Sequence, residues 1–369
     1  MDAYLLVMVA SLVPAYALTP VALRLAKRLG AVDIPDDRKV HEVPTPRLGG
    51  IAIFLAAIFG LAVASGLSAF HPSFQPLVKW PPTEPIAIAV GTAVVFVLGL
   101  VDDVKGLSAP TKLAGQILAA AFVYLGGVSL EWFRLPPFGT LSLGASDSAV
   151  TTIVWIVVIV NAVNLIDGLD GLAAGITAIA AATFFIYLFE LGRGLALPDQ
   201  TAPLISVVVL GAAAGFLPHN FYPAKIFMGD SGSMTLGFLL ATATVAGVGR
   251  TAPINFKAET VIFYLPVVIP LIILAIPILD TALAIVRRAR GGKHIFHADK
   301  RHLHHQLLEI GHGHRQAVLI MYGWTAVVGG AGLALSFAPN PFFTLPFVGA
   351  AIAIFLYTAL PRVANRGVG

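Results

Sequence analysis

Long apolar runs alternate with short polar segments along almost the whole chain. A membrane-spanning helix needs about 20 mostly apolar residues, and eleven runs of comparable length occur. They cover residues 3–25, 48–67, 85–101, 111–128, 149–163, 172–191, 203–217, 233–248, 260–286, 317–337 and 342–360. This pattern predicts an all-α fold, a polytopic membrane helical bundle of about eleven transmembrane helices.

Two of the runs differ from the others. The ninth, residues 260–286, contains Pro266, Pro270 and Pro277. Each proline removes a helical hydrogen bond and favours a kink, so this helix is predicted to be bent or broken. The first run has no basic residue before it and exceeds the apolar core of a signal peptide, which favours a retained helix.

The distribution of basic residues predicts the orientation of the bundle. Eleven crossings place alternate connections on opposite sides, and 18 of the 23 lysines and arginines fall on one side. Cytoplasmic connections carry the excess of Lys and Arg. The amino terminus is therefore expected outside and the carboxyl terminus in the cytoplasm. This asymmetry explains the net charge of +4, so nucleic acid is not expected as a partner.

Composition agrees with a membrane solvent. Hydrophobic residues make up 57% of the chain and charged residues 11%, whereas soluble domains carry about 25% charged residues. The absence of cysteine excludes disulfides and thiolate metal sites. We expect residues 1–369 to form one integral membrane domain.

Acids and histidines gather on the predicted cytoplasmic side. Nine of the ten histidines and twelve of the nineteen acids lie there. The connections that carry them are predicted to form the active site, and they span residues 26–47, 102–110, 164–171, 218–232 and 287–316.

Asp102 and Asp103 follow the third run, with Lys112 nearby. Adjacent carboxylates repel, and near lipid this repulsion is relieved by a divalent cation, by a lysine or by a raised pKa. The alternative is a solvated loop in which a lysine balances the charge.

Asn161, Asn164, Asp167 and Asp170 are spaced three residues apart after the fifth run. Residues at this spacing share a helix face, and such a polar face is costly at the end of an apolar helix. We therefore favour a functional role, whereas helix capping would account for one of the four residues.

The connection after the seventh run combines aromatic and polar residues. Phe227 and two other aromatics accompany Asn220, Lys225 and Asp230. This set suits a nucleotide whose phosphates carry Mg²⁺, since Mg²⁺ takes one or two carboxylates plus substrate phosphates. An interfacial aromatic belt with turn glycines is the alternative.

A histidine-rich connection, KHIFHADKRHLHHQLLEIGHGH, follows the ninth run. It could bind zinc or anionic phosphates, and phosphate binding is favoured because the chain has no cysteine and no His-Glu-x-x-His pattern. The first connection mixes Lys39 with acids and prolines and could hold a lipid phosphate or serve as a basic anchor.

Five segments, in this order, resemble the motifs of the polyprenyl-phosphate N-acetylhexosamine-1-phosphate transferase family: DDRKVH, GLVDDVKGL, NAVNLIDGLDGLAAG, PAKIFMGDSGS and DKRHLHH. Members of that family transfer a sugar 1-phosphate from a UDP-sugar to a membrane polyprenyl phosphate, releasing UMP, and require Mg²⁺. The resemblance extends from Asp36 to about Gly311.

The histidine segment favours one branch of this family. The peptidoglycan branch has three consecutive histidines, whereas this chain has His302-Leu303-His304-His305. The resemblance therefore implies the UDP-N-acetylglucosamine:undecaprenyl-phosphate branch, which initiates O-antigen, enterobacterial common antigen or teichoic-acid linkage units at the bacterial cytoplasmic (inner) membrane. A phospho-N-acetylmuramoyl-pentapeptide transferase is the alternative.

The resemblance also implies roles for individual residues. The catalytic set is Asp102, Asp103, Lys112 and Asp167, in which Asp102 and Asp103 serve as base and as lipid-phosphate or metal partner. Mg²⁺, for which Mn²⁺ could substitute, is held by Asp230 and Asp103. The substrate-binding set is Lys39, Asn164, Asp170, Asn220, Lys225, Phe227 (stacking uracil), Arg301, His302, His304 and His305. Direct attack and a covalent aspartyl intermediate both remain open.

The expected partners are UDP-N-acetylglucosamine, undecaprenyl phosphate, the lipid bilayer and a second copy of the chain. A cation-coupled transporter is the rival from another class, since it too uses carboxylates in a membrane bundle. Transporters need such groups near mid-membrane, whereas these lie in connections on one face, so the enzyme is favoured.

Overall fold

The computed structural model describes residues 2–35, 43–70, 83–135, 139–195, 201–248, 311–338 and 340–359. Within them the chain forms ten α-helices. These are α1 (Asp2–Leu29), α2 (Gly50–Phe70), α3 (Thr83–Lys105), α4 (Ala109–Leu125), α5 (Ala145–Ile166), α6 (Leu172–Leu195), α7 (Thr201–Asn220), α8 (Gly229–Val248), α9 (His314–Phe337) and α10 (Leu345–Ala359). A short 3₁₀ turn, Pro341–Thr344, precedes α10.

The chain is an integral membrane protein of the polytopic helical type. Seven of the described helices are long and apolar enough to cross a bilayer: α1, α2, α3, α5, α6, α7 and α9. In α1 the buried residues include Ser11, Ala15 and Thr19, whereas Leu6 and Val13 point outward and are about half exposed. Small residues between helices and large aliphatic residues outside are typical of packing in lipid.

The core of the bundle is formed by α7 and α8. Helix α7 packs against α1, α2, α6 and α8, while α8 packs against α2, α3, α5 and α7. Two threonine hydroxyls of α8 are satisfied within the helix, since Thr235 donates to the carbonyl of Ser231 and Thr242 to that of Phe238. The packing of these two helices fixes the position of Asn220 at the end of α7 and of Asp230 at the start of α8.

Polar pairs join neighbouring helices inside the bundle. Trp155 Nε1 of α5 donates to Thr244 Oγ1 of α8 at 2.7 Å. Asn161 Nδ2, also of α5, donates to Gln116 Oε1 of α4 at 2.6 Å. Since lipid offers no hydrogen bonds, such pairs satisfy polar groups that would otherwise be left without partners. They hold α5 between α4 and α8.

Two short antiparallel strand pairs supplement the helices. Val32–Asp33 (β1) pairs with Thr45–Pro46 (β2) between α1 and α2. Trp132–Leu135 (β3) pairs with Gly139–Ser142 (β4) between α4 and α5. The expectation of an all-α chain is therefore right for the bundle but overlooked these ladders, which are too short to show an alternating apolar pattern.

Ten of the eleven predicted spans coincide with the described helices. The two shortest, 149–163 and 203–217, belong to α5 and α7, which extend to 22 and 20 residues. Their polar ends had hidden this length from the apolar pattern. The ninth predicted span, 260–286, lies outside the described residues, and so does its predicted kink.

Candidate active site

The described parts of the predicted site connections meet at one end of the bundle. Helices α3, α5 and α7 end there, and α4, α6, α8 and α9 begin there. Side chains from these termini are in direct contact, as the hydrogen bonds that join Lys112, Asn164 and Asp230 demonstrate. The sequence assigned these connections to one common side, and their described parts share one end of the bundle.

A tight turn between α3 and α4 brings Lys112 back over the end of α3. Gly106 ends α3 with a positive φ of 70°, a conformation that costs glycine little. The backbone N–H of Leu107 donates to Asp102 Oδ1 at 2.7 Å. The Ser108 hydroxyl caps α4 by accepting from the N–H of Thr111. One turn into α4, the Lys112 side chain therefore faces Asp102.

We call Asp102, Lys112, Asn164 and Asp230 the charged cluster. Lys112 Nζ lies 2.8 Å from Asp230 Oδ2 and 3.3 Å from Asp102 Oδ2, so one ammonium is shared by carboxylates of α3 and α8. All three charged side chains are partly buried. Residues 118 apart in sequence are thus joined by a charge-assisted hydrogen bond.

Asn164 completes the charged cluster from α5. Its Nδ2 donates to Asp230 Oδ1 at 3.0 Å and to Ser233 Oγ at 2.9 Å. The two oxygens of Asp230 therefore each accept one hydrogen bond, from an amide and from an ammonium. An oxygen that accepts one such bond retains a lone pair for a cation.

Asp103, next to Asp102 in sequence, has a different environment. Its Oδ1 accepts from the N–H of Asp230 at 2.8 Å. Its Oδ2 accepts from the N–H and the hydroxyl of Ser231, at 3.1 and 2.6 Å. Only 3% of the residue is exposed. Its predicted roles as base and Mg²⁺ ligand therefore have to compete with three existing bonds.

Asp167 lies just after α5, beside the charged cluster. Its partly buried carboxyl group has no hydrogen-bond partner among the described residues. Burial raises its pKa well above the usual range, and the negative charges of Asp230, Asp103 and Asp170 raise it further. A nearby divalent cation would reverse this effect by favouring the ionised form.

The donors in this region suit a hard cation. Asp102, Asp167 and Asp230 offer carboxylate oxygens, and Mg²⁺ takes one or two carboxylates together with substrate phosphates. The described part of the chain contains no group of three or more His, Asp or Glu residues arranged to hold a metal by themselves. The residues therefore fit a cation that is completed by phosphate oxygens.

The sequence expectation that Asn161, Asn164, Asp167 and Asp170 share one helix face is wrong. Helix α5 ends at Ile166, and the chain then turns through Gly171, whose φ is 79°. Only Asn161 and Asn164 are helical. The helix ends early because Asp167 and the glycines after it favour a turn.

A second set of contacts, which we call the loop junction, joins the α5–α6 turn to the α7–α8 connection. Asn220 Oδ1 accepts from the N–H of Gly171 at 3.1 Å, and its Nδ2 donates to the carbonyl of Ile226 at 3.0 Å. Asp170 Oδ2 accepts from the N–H of Ala224 at 2.9 Å. Asn220 and Asp170 are both buried, so these two predicted nucleotide contacts bond to backbone groups here.

The start of α9 completes the loop junction. His314 Nε2 accepts from the N–H of Asp170 at 3.2 Å, and its ring stacks on Tyr222 with centroids 4.8 Å apart. The Tyr322 hydroxyl donates to the carbonyl of Gly171. Sequence reasoning included His314 only as a member of the histidine-rich connection, and it gave no role to Tyr322. A tyrosine hydroxyl inside an apolar run was the one available signal for the latter.

Phe227 and Lys225 lie between the two regions. The N–H of Phe227 donates to the carbonyl of Pro46 at 2.7 Å, and its own carbonyl accepts from Gly49 at 3.0 Å. This backbone pairing extends from β2 and holds the partly buried Phe227 ring in place. Lys225 is exposed.

Several predicted site residues lie outside the described residues. They are Lys39, Arg301, His302, His304 and His305. Their assignment to the substrate phosphates stays a prediction.

Comparison with known proteins gives a consistent result. Residues 85–248 match the sequence profile of glycosyl transferase family 4. Over 364 residues the chain is 42% identical to the decaprenyl-phosphate N-acetylglucosaminephosphotransferase of Mycobacterium tuberculosis, covering 97% of this chain and 88% of that protein.

Two further relatives are informative. The probable undecaprenyl-phosphate N-acetylglucosaminyl 1-phosphate transferase of Bacillus subtilis is 38% identical over 315 residues, which is 85% of this chain and 80% of that protein. The phospho-N-acetylmuramoyl-pentapeptide-transferase of Shouchella clausii is 30% identical over 271 residues, which is 65% of this chain and 74% of that protein.

Proposed function

We propose that this chain transfers N-acetylglucosamine 1-phosphate from UDP-N-acetylglucosamine to a polyprenyl phosphate. The chain belongs to the polyprenyl-phosphate N-acetylhexosamine-1-phosphate transferases of glycosyl transferase family 4. The products are UMP and polyprenyl-diphosphate-N-acetylglucosamine. The observation that carries the proposal is the charged cluster, in which one ammonium lies between two carboxylates from different helices. Such an excess of carboxylate suits a cation-bound diphosphate.

The choice of sugar and lipid rests on the relatives. The Mycobacterium tuberculosis and Bacillus subtilis proteins, both named for N-acetylglucosamine, align over more of this chain and at higher identity than the pentapeptide transferase. Their names differ in the lipid, which is decaprenyl phosphate in Mycobacterium tuberculosis and undecaprenyl phosphate in Bacillus subtilis. We propose undecaprenyl phosphate as the acceptor for this chain. Its product would be the first membrane intermediate of a cell-surface polysaccharide.

The proposed reaction depends more on stabilising negative charge on the phosphates than on covalent catalysis by the protein. Asp230 would hold Mg²⁺ with Asp167 beside it, and the cation would supply Lewis-acid stabilisation of the diphosphate oxygens. Lys112 Nζ neutralises negative charge on the transferred phosphoryl group. An oxygen of the polyprenyl phosphate forms the new bond to the sugar-linked phosphorus, the bond from that phosphorus to the UMP oxygen breaks, and UMP leaves. We assign to Asp102 the removal of a proton from the acceptor phosphate.

The nucleotide is assigned to the region between the charged cluster and the loop junction. The Phe227 ring would stack on uracil, since its backbone is held on both sides by β2 and the start of α2. Asn220 and Asp170 would act by fixing the shape of this pocket through their backbone bonds. Lys225, which is exposed beside them, would contact a phosphate.

We further propose eleven spans, with the site on the cytoplasmic face of a bacterial inner membrane. Helices α8 and α9 both begin at the site end of the bundle. This arrangement supports the eleven-span proposal, in which one predicted span, residues 260–286, lies between α8 and α9 in the sequence. The excess of Lys and Arg on the site side supports a cytoplasmic location.

The test is transfer of radiolabel from UDP-N-acetylglucosamine into butanol-extractable lipid. Purified protein, treated with EDTA, receives undecaprenyl phosphate or decaprenyl phosphate with and without Mg²⁺. Labelled UDP-N-acetylmuramoyl-pentapeptide is assayed in parallel. We expect Mg²⁺-dependent lipid labelling from UDP-N-acetylglucosamine, restored also by Mn²⁺, and release of unlabelled UMP in equal amount.

Matched variants locate the activity. Asp230→Asn should abolish labelling, whereas Asp147→Asn, which changes an exposed acid in the first turn of α5 at the far end of the bundle, should not. Both proteins should elute as monodisperse membrane proteins. Absence of labelled lipid from metal-supplied wild-type protein would refute the proposal, and labelling from the pentapeptide substrate alone would replace it with the peptidoglycan reaction.

A further inference from the structure

We propose that Asp103 is a positioning residue, which fixes the start of α8 and thereby the direction from which the Asp230 carboxylate enters the charged cluster. This inference rests on the proposed function only in taking Asp230 as the carboxylate that matters for catalysis. It assigns Asp103 neither the role of base nor that of metal ligand.

The contacts of Asp103 define the role. The carboxylate belongs to α3, yet its three hydrogen-bond donors belong to the first residues of α8. Two are the backbone N–H groups of Asp230 and Ser231, and the third is the Ser231 hydroxyl. The first N–H groups of a helix have no partner within that helix. Asp103 therefore caps α8 from another helix.

A carboxylate is well suited to this task. It accepts several hydrogen bonds at once, and its charge interacts favourably with the positive end of the helix dipole. Asp230 cannot serve as the cap, because both of its oxygens face Lys112 and Asn164. The capping carboxylate and the carboxylate of the charged cluster are thus separate groups, supplied by separate helices.

Close packing leaves little room for a cation at Asp103. Gly229 has a φ of 69°, and a Cβ there would lie 2.5 Å from Asp103 Oδ1 and 2.6 Å from the Arg47 carbonyl oxygen. A Cβ at Gly99 would lie 2.5 Å from the backbone of Ser231. The backbones of α3 and of the segment before α2 therefore enclose the start of α8, and Asp103 is almost fully buried among them.

The experiment compares Asp103→Asn, Ser231→Ala and the double variant. Ser231 is fully buried, and among the described residues its hydroxyl donates to Asp103, so the variant tests that bond. Thr242→Val is the matched control, because it removes another buried hydroxyl of α8 whose bond is to the carbonyl one turn back. Asp230→Asn is the reference for loss of the metal ligand. Each protein is assayed for kcat, for KM and for Mn²⁺ binding by electron paramagnetic resonance.

We expect Asp103→Asn to lower kcat and weaken Mn²⁺ binding by about 10- to 100-fold each, as for residues that orient a metal ligand. The KM for UDP-N-acetylglucosamine should stay unchanged. Ser231→Ala should lower the same two quantities to a smaller extent. The double variant should be no worse than Asp103→Asn, because the two changes remove one shared interaction. Thr242→Val should match the wild type.

Other outcomes would overturn the inference. If Asp103 were the base, Asp103→Asn would lower kcat and leave Mn²⁺ binding unchanged, and Ser231→Ala would change neither quantity. If it were a ligand, Mn²⁺ binding would vanish as in Asp230→Asn. Mn²⁺ binding is measured with UDP present, whose phosphates complete the cation without turnover. These results therefore stand apart from the proposed function, which fails instead when wild-type protein transfers no sugar phosphate.

Discussion

The charged cluster and the loop junction lie at the same end of the bundle but satisfy their polar groups differently. In the loop junction, the side chains of Asp170, Asn220, His314 and Tyr322 all bond to backbone groups. In the charged cluster, side chains bond to one another, and two carboxylates share a single ammonium. One region is complete within the protein, whereas the other holds an excess of negative charge.

This difference indicates what each region contributes. Bonds from side chains to backbone fix the path of a loop, so the junction determines the shape of the space beside the cluster. The charged cluster contains two carboxylates but one ammonium, and this excess of negative charge can bind a divalent ion. Variants of the cluster should therefore reduce turnover, and variants of the junction should reduce substrate affinity and stability.

Removing the ammonium of the charged cluster should give the largest effect. Lys112→Met keeps an unbranched side chain of similar length but removes the ammonium, which leaves Asp102 and Asp230 to repel each other. We expect kcat to fall by about 10²- to 10³-fold, as when one preorganised donor to a developing charge is removed. Radiolabel transfer at saturating substrate measures the change.

The matched control is Lys105→Met, which removes an exposed lysine at the end of α3 on the same side. It should retain near wild-type kcat. Equal losses in the two variants would mean that general positive charge, rather than the bond to Asp230, supports turnover.

Breaking the loop junction should act on affinity and stability. Asn220→Ala leaves the buried N–H of Gly171 and the carbonyl of Ile226 unpaired, at a cost of about 1–3 kcal/mol each. We expect a lower melting temperature in detergent and a rise in KM for the UDP-sugar of about tenfold, or 1.4 kcal/mol. The kcat should change far less than in Lys112→Met. A loss confined to kcat would contradict the division between the two regions.

The smallest expected effect concerns pH. The raised pKa of Asp167 means that this group gains a proton at a higher pH than an ordinary aspartate, so activity that needs the ionised form is lost early on acidification. Mg²⁺ beside it favours the ionised form. Raising Mg²⁺ should therefore move the acidic limb of the kcat/KM profile to lower pH by about one unit.

Asp167→Asn tests whether that limb belongs to Asp167. The variant should lose the Mg²⁺ dependence of the limb, whereas Asp147→Asn, at the far end of α5, should keep it. An acidic limb that is the same at all Mg²⁺ concentrations in the wild type would show that the ion lies elsewhere.

Adjacent residues in the charged region illustrate what the sequence could not resolve. The pair Asp102–Asp103 was predicted to belong to the site, and both residues do reach it. Successive side chains of a helix point about 100° apart. Asp102 therefore faces Lys112, and Asp103 faces the start of α8. Which neighbour lies in each direction depends on the packing of α3 against α4 and α8, which has no local signal.

The same limit applies to the other side chains of this end. Asn164 and Asp230 were predicted as site residues because polar residues at the ends of apolar helices stand out, and the structure brings the two side chains into contact. Tyr322 was missed because its hydroxyl donates a hydrogen bond to a backbone carbonyl 151 residues away in the sequence. Asn220 was predicted as a site residue, but its bond to the N–H of Gly171 could not be predicted, since Gly171 lies in a different connection.

The sequence by itself determined the membrane solvent, the helices and the grouping of charge on one side, because each of these follows from local apolarity and the alternation of crossings. The tertiary structure alone decided which carboxylates share Lys112, which one caps α8, and which polar groups are already satisfied. Those assignments depend on contacts between helices that are distant in sequence, and the energy of a buried charge depends on the partner that packing brings to it.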